Sequence, residues 1–297
     1  MPMPDNMPAP LDVAAEAAAK VLADNPDYRT LRRLVDASSL ASPAPPNTPT
    51  RIGAVVDVET TGLDPAGNHI IELAVQRFRF TDAGQITEVG LARSWREDPG
   101  FPLDPVITKL TGLTDADLAG QVIDDAEAAA MLISADVIIA HNAAFDAKFV
   151  EARLPAIAGR AWACTLNEID WSEHGFGGRQ LGYLLMETGY FFDGHRAEQD
   201  VLAVIFLLAH RSHGGVPLLA SLIAGAEQPT VRIDAIGAPF ASKDALKARG
   251  YRWHATDRYW WTEVSEADAE AEQRWLQHNA CEHGARLTQV TWRERHR

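Results

Sequence analysis

Ile52-Gly53-Ala54-Val55-Val56-Asp57-Val58-Glu59-Thr60-Thr61-Gly62 is the stretch on which the reading of this chain turns. Its first half is an apolar run, the pattern of a strand buried on both faces in the middle of a sheet. Residues two apart on a strand point to the same face, so Asp57 and Glu59 project together from its end. Two neighbouring carboxylates in such a place are unfavourable unless something neutralises them. Hard divalent cations such as magnesium do so, because they favour carboxylate oxygens. The stretch therefore predicts a central strand that ends in a metal site.

Two later segments carry matching chemistry. Asp136-Val137-Ile138-Ile139-Ala140-His141 predicts a second buried strand, and Asn142-Ala143-Ala144-Phe145-Asp146 leads from it into a helix. Gly194-His195-Arg196-Ala197-Glu198-Gln199-Asp200 opens a further helical, apolar run from Val201 to Ala209. In this order the motifs D-x-E-T-T-G, H-N-x-x-F-D and H-x-A-x-x-D resemble the DnaQ-like 3′–5′ exonuclease family. The branch they resemble is DEDDh, the one typified by the exonuclease (epsilon) subunits of bacterial DNA polymerase III. The resemblance covers about residues 51–213, and no motif position is missing.

The resemblance implies an α/β fold, a ribonuclease-H-like mixed sheet flanked by helices. It implies that Asp57, Glu59, Asp146 and Asp200 hold two divalent metal ions, Mg2+ or Mn2+, and that His195 is the general base. Imidazole suits that role because it ordinarily titrates near neutral pH. Thr60, Thr61, Gly62 and Leu63 are expected at the terminal nucleotide, Gly62 because it allows close backbone approach. Phe145 is a stacking partner for the substrate or a core aromatic. Asn142 lies beside the substrate or caps the helix it precedes. His141 supports the strand end or touches substrate. The expected activity is removal of nucleoside monophosphates from the 3′ end of single-stranded or frayed DNA, in a proofreading setting with a DNA polymerase, in a repair setting with a repair partner, or alone. The alternatives are an RNA-trimming exoribonuclease and a non-catalytic nucleic-acid-binding scaffold.

Bulk properties set outer limits. The 297 residues carry a formal net charge of −14, which argues against a protein that coats nucleic acid. The excess is local: residues 51–215 hold 12 basic and 24 acidic groups, whereas residues 216–297 hold 11 of each. No run reaches the length of a membrane span, and residues 1–30 lack the pattern of a secretory leader. Cys164 and Cys281 are too few for a disulfide framework. A cytoplasmic protein is the expectation.

Along the chain, residues 11–37 show helical spacing, with Leu11, Val21, Leu22, Leu31, Leu34 and Val35 apolar and Pro26 as a break, which predicts a short helical hairpin. A proline-rich linker, Ser42 to Thr50, separates it from the exonuclease segment. The expected domains are thus 1–50, 51–215 and a small C-terminal α+β module, 216–297. Strands are predicted near 52–58, 69–80, 86–96, 136–141 and 161–165. In the last segment the order is strand, helix, hairpin and closing helix, and the run Lys243 to Trp253 is similar to a module fused to some DnaQ-like exonucleases. That segment holds five of the eight tryptophans, Trp253, Trp260, Trp261, Trp275 and Trp292, beside Lys243, Lys247, Arg249, Arg252 and Arg258. Large aromatics there form a small core, stack on single-stranded bases, or both.

Overall fold

The computed structural model describes residues 13–212, 214–281 and 285–297. Helix α1 (Val13–Ala23) comes first, followed by a two-residue strand β1 (Arg32–Arg33). Four strands come next: β2 (Thr50–Thr60), β3 (Ile70–Thr81), β4 (Ile86–Val89) and β5 (Arg93–Arg96). Helices α2 (Pro105–Thr111), α3 (Asp115–Leu118) and α4 (Asp125–Ile133) then lead into β6 (Val137–Ala140) and α5 (Ala143–Arg153). The first unit continues through β7 (Trp162–Cys164), α6 (Leu181–Glu187), β8 (Tyr190–Phe191) and α7 (Ala197–Ala209), and α8 (Leu218–Glu227) runs across its boundary with the second.

The six-stranded sheet has the order β4-β3-β2-β6-β7, with β5 also paired to β3. Strands β2, β6 and β7 are parallel, and β3 runs against β2. That is the ribonuclease-H-like mixed sheet. Parallel strands need helical crossovers, which cover both faces and leave the strands apolar throughout. Here Ala54, Val56 and Val58 of β2 share one core with Ile138, Ala140, Phe149, Val150 and Trp162. Helix α7 packs against β2 and β3, and Val201, Ala203, Ile205 and Leu208 are among its fully buried residues. Gly53 lies opposite Phe78, and a β-carbon on it would sit 2.5 Å from the Phe78 ring. Glycine at that position lets the ring lie across the central strand.

Three local expectations change. The predicted strand over 86–96 is two strands, because Gly90 donates its N–H to Arg77 and turns the chain between them. The predicted hairpin over 11–37 has only its first helix, and Leu11 lies outside the described residues. Beyond Pro26 the backbone is extended: Arg32 N–H donates to Gly189 and Leu34 N–H to Phe191, so β1 pairs with β8 in parallel. Leu34 and Ala37 are buried. The proline-rich stretch is tied down as well, since Ser42 N–H donates to Ile86 at 3.0 Å and the Gln85 side chain donates to Ser42.

Residues Ala224–His296 form a second compact unit. It contains β9 (Thr230–Ala235), α9 (Lys243–Ala248), β10 (Arg252–His254), β11 (Tyr259–Ser265), α10 (Glu266–Asn279) and β12 (Arg286–Val290). Its antiparallel sheet has the order β10-β11-β9-β12. The closing strand β12 and helix α8 are additions to the expected pattern. Ile233, Ala235, Leu246, Trp260 and Leu276 make its core, with Trp275 packed against it.

Candidate active site

Asp57 and Glu59 leave β2 two residues apart, and a register shift between Glu59 and Thr60 ends the regular pairing there. Asp200 comes from the first turn of α7 and Asp146 from the first turn of α5. Acids in the first turn of a helix face the positive end of its dipole. Carboxylate oxygens of Asp57, Glu59 and Asp200 all lie within 4.8 Å of one another. Asp146 stands outside that trio but is only 3% exposed, and its charge raises the proton affinity of both Asp57 and Glu59.

The electrostatics are those of a site short of positive charge. Burial, followed by the charges of Asp200 and Asp146, pushes the Asp57 carboxyl well above the usual carboxylate range. Burial is also the main cause for Glu59, raised to about 8, for Asp146, raised to about 7, and for Asp200, raised to about 6. Backbone N–H groups near Arg196 and His195 hold Asp200 down in part; Arg196 N–H donates to its carboxylate at 3.1 Å. An oxygen-only donor set with surplus negative charge fits hard divalent cations.

Glu72 is the acid that motif reading missed. It lies directly opposite Glu59 in the β2–β3 register and its side chain is 2% exposed. Arg96 donates to it at 3.1 Å, Arg196 at 3.4 Å and the Ala197 N–H at 3.1 Å. Glu72 therefore joins the β3–β5 pair to the N-terminus of α7, the helix that carries Asp200. The signal in the sequence was a lone acid inside the apolar strand Ile70 to Val75, where an unpaired charge would be costly.

His195 is not on an element. It sits between β8 and α7 with φ at 63°, a left-handed conformation unusual for a residue other than glycine. The strand before it is held by the N-terminal segment. Arg33 pairs with Asp193 at 2.5 Å and lies over the Phe191 ring at 4.8 Å, and Arg29 pairs with Glu187 at 2.9 Å. Positive φ at a non-glycine residue persists only where the surroundings enforce it.

These groups share one cleft of about 700 Å³. Asp57, Glu59, Asp146, Asp200, His195, Thr60, Gly62, Leu63, His141, Asn142 and Phe145 all line it. Thr61 does not, and its hydroxyl accepts from the His69 N–H instead. Thr60 donates to the Gly62 carbonyl at 2.6 Å, and Asn68 packs where a Gly62 side chain would stand. Leu63 is exposed at the rim. Asn142 is the N-cap residue of α5, yet its side chain makes no capping hydrogen bond. Phe145 both lines the cleft and packs on Phe149 at 5.0 Å. His141 bonds Thr165 through Nδ1 at 2.8 Å, and burial lowers it to about 4, so its ring is neutral at neutral pH. Ile107, Leu110, Leu181 and Phe192 add apolar walls that no motif signalled.

The sequence profile of the exonuclease family, RNase T, matches residues 54–208, more than half of the chain. The chain belongs to the exonuclease family. The resemblance to DnaQ-like 3′–5′ exonucleases thus holds at the level of the family, and the four motif acids and His195 all fall inside the matched span. DNA polymerase III PolC-type of Streptococcus agalactiae serotype III (strain NEM316) is 36% identical over 104 residues, 33% of this chain and 6% of that protein. The PolC-type polymerase of Streptococcus pyogenes serotype M5 (strain Manfredo) is 36% identical over 101 residues, with the same shares. The exonuclease chain thus matches only about 6% of the length of these relatives. Among solved structures, E. coli Exonuclease I in complex with a dA16 oligonucleotide covers 82% of this chain and 64% of its own at 16% identity and a TM-score of 0.46. Exonuclease X in complex with 5′ overhanging duplex DNA covers 57% and 99% at 19% identity and a TM-score of 0.39. Among the described residues no helix is long and apolar enough to cross a membrane.

Proposed function

We propose that this exonuclease hydrolyses the terminal phosphodiester at the 3′ end of single-stranded or frayed DNA and releases nucleoside monophosphates. The observation that carries the reading is the convergence of Asp57, Glu59, Asp146, Asp200 and His195 on one cleft. Asp57, Glu59, Asp146 and Asp200 would hold two divalent ions, Mg2+ or Mn2+. Such ions supply charge neutralisation at the phosphate and at the leaving oxygen.

The chain's own groups account for the rest. His195 takes a proton from the attacking water as its oxygen bonds to phosphorus and the bond from phosphorus to the leaving 3′ oxygen breaks. Leu63 packs against the last base, and the backbone around Gly62 lies close enough to the cleft to bind the terminal nucleotide. Thr60 fixes that turn through its bond to the Gly62 carbonyl. Thr61, which faces His69, supports the turn from behind. Phe145 contributes a stacking face. The neutral His141 and the uncapped Asn142 amide are polar contacts that add no charge to an acidic site.

The test is a nuclease assay on 5′-labelled single-stranded DNA and RNA with Mg2+, Mn2+ or chelator. The proposal requires a ladder that shortens from the 3′ end, faster on DNA, abolished by chelation and by a blocked 3′ terminus. Faster RNA shortening would make the protein an exoribonuclease, and no shortening of either would make it a scaffold. The PolC-type relatives make a DNA polymerase the first partner to test, by co-purification with the full chain.

A further inference from the structure

The outer face of the second unit's sheet is assembled unlike its inner face. Register places Arg252 opposite Trp261, Trp261 opposite Asp234, and Asp234 opposite Arg286, in one row across four strands. Residues two apart share a face, so Arg232 and Tyr259 belong to it as well. The helices cover the other side, where Ile233, Trp260 and Leu276 pack together. Arginine heads and aromatic rings alternate across the outer surface. Arg232 lies 4.5 Å and Arg252 5.5 Å from the Trp261 ring, and Arg286 lies 5.5 Å from Tyr259.

Asp234 orders this layer. Its side chain is 2% exposed, and it accepts from Arg232 at 2.8 Å and from Arg286 at 2.7 Å. A buried carboxylate between two guanidinium groups fixes their planes, and each guanidinium has more donors than one carboxylate uses. Arg286 keeps 55% of its side-chain exposure, and Arg252 is exposed. Glu263, two residues from Trp261 and opposite Arg232, shares the face but pairs with Arg295 at 3.1 Å, and the acids of α10, beginning with Glu266 and Asp268, lie on a different element. In a chain of net charge −14, the sheet face is a place where positive charge and aromatic surface coincide.

We infer that this face binds single-stranded DNA, with bases stacking at Trp261 and phosphates paired to Arg252 and Arg286. Single strands suit it because their bases offer free π-faces, whereas duplex bases are stacked on each other, and because arginine pairs with phosphate through paired N–H donors. The choice of DNA rests on the exonuclease reading above. The face differs from the basic helix residues Lys243 and Lys247: its cations are held in register on strands, beside the ring that would carry a base.

The experiment uses the full chain, fluorescein-labelled dT30 and excess chelator, so that binding is read without turnover. Anisotropy titrations across a salt series give the affinity and its salt slope. Trp261→Ala should weaken dT30 binding by about ten-fold, the usual scale for losing one stacked base. Arg252→Glu should lower the slope of log affinity against log salt by roughly 0.7 or more, one phosphate contact on a single strand. Arg252 is exposed, so this variant keeps its fold even if Trp261→Ala does not. Cleavage of dT6 with Mg2+ should stay at the wild-type rate in both variants. Wild-type dT30 affinity and slope in Arg252→Glu, with folding confirmed by circular dichroism, would overturn the proposal and leave the face to a protein partner. If the wild type binds dT30 through this face but cleaves nothing, the exonuclease reading fails and this one stands.

Discussion

In one part of the cleft, Asp57 and Glu59 stand on the central strand of a six-stranded sheet, and Asp146 and Asp200 on the first turns of helices packed against it. In another part, His195 stands on a loop between a two-residue strand and α7, in a left-handed backbone conformation. The acids are held by core packing and cost stability through desolvation and mutual repulsion. The histidine is held by few and mostly exposed contacts, Arg33 with Asp193 and Arg29 with Glu187, whose side chains are 34–74% exposed. Under the proposed function, the groups that would hold metal ions are built into the rigid frame. The group that would transfer protons is placed where a local tether, and not the core, sets its position.

The largest effect should come from the rigid side. Asp57→Ala or Asp200→Ala should abolish cleavage, while the metal-free protein keeps or gains thermal stability because one member of a repelling cluster is gone. The rise in melting temperature on adding Mg2+ should shrink in the same variants. Normal cleavage rates in either variant would break the assignment of the acids.

His195→Ala should reduce kcat by roughly 10²–10⁴-fold, the scale of a lost general base, with the Mg2+-induced melting shift intact. That combination separates the two parts of the cleft: ligand loss moves both readouts, base loss only one. An unaltered rate would assign proton transfer to another group.

The tether should matter less. Deleting residues 1–37 removes β1 and should lower kcat by about 10–100-fold through misplacement of the His195 loop. Arg33→Ala should lower it by only a few-fold, as expected for an exposed ion pair, and Arg33→Lys should restore most of it. KM should hold in all three, because Leu63, Phe145 and Asn142 are untouched. A change in KM alone would instead make the N-terminal segment a substrate contact.

The smallest effect is thermodynamic. Glu59, Asp146 and Asp200 are raised to about 8, 7 and 6, from ordinary values of 4.5, 3.8 and 3.8. The folded, metal-free chain therefore binds more protons than the unfolded chain in that interval, so this contribution to stability is full below the ordinary carboxylate range. It is lost as pH rises through the raised values. Melting of the chelated protein should fall as pH increases from about 4 to 8, and added Mg2+ should flatten the trend. A melting temperature that rises over that interval in chelator would remove the electrostatic account of the cluster.

Much of this was legible in the sequence because it is local. Alternation along β2 puts Asp57 and Glu59 on one face wherever the strand lies. The apolar runs at Val137–Ala140 and Val201–Leu208 are buried elements in any packing that protects them from water. The order of the three motifs carried the family and the mixed sheet with it. What was not legible depended on partners distant in sequence. Glu72 gains its place from Arg96, Arg196 and the α7 N-terminus, separated from it by 24 to 125 residues. The extended run after Pro26 became a strand only because β8 offered it hydrogen-bonding groups.

By itself, then, the sequence determined which residues form the central strand, which acids leave it and in what order the motifs follow, since period, apolarity and residue chemistry are properties of short stretches. Only the tertiary structure decided that Asp57, Glu59 and Asp200 meet within 4.8 Å, that Thr61 turns from the cleft, and that the N-terminal segment grips the strand before His195. The physical reason is the range of the forces involved. Backbone pairing and the desolvation of a charge are settled by whichever groups folding brings alongside, and separation along the chain does not reveal which groups those are.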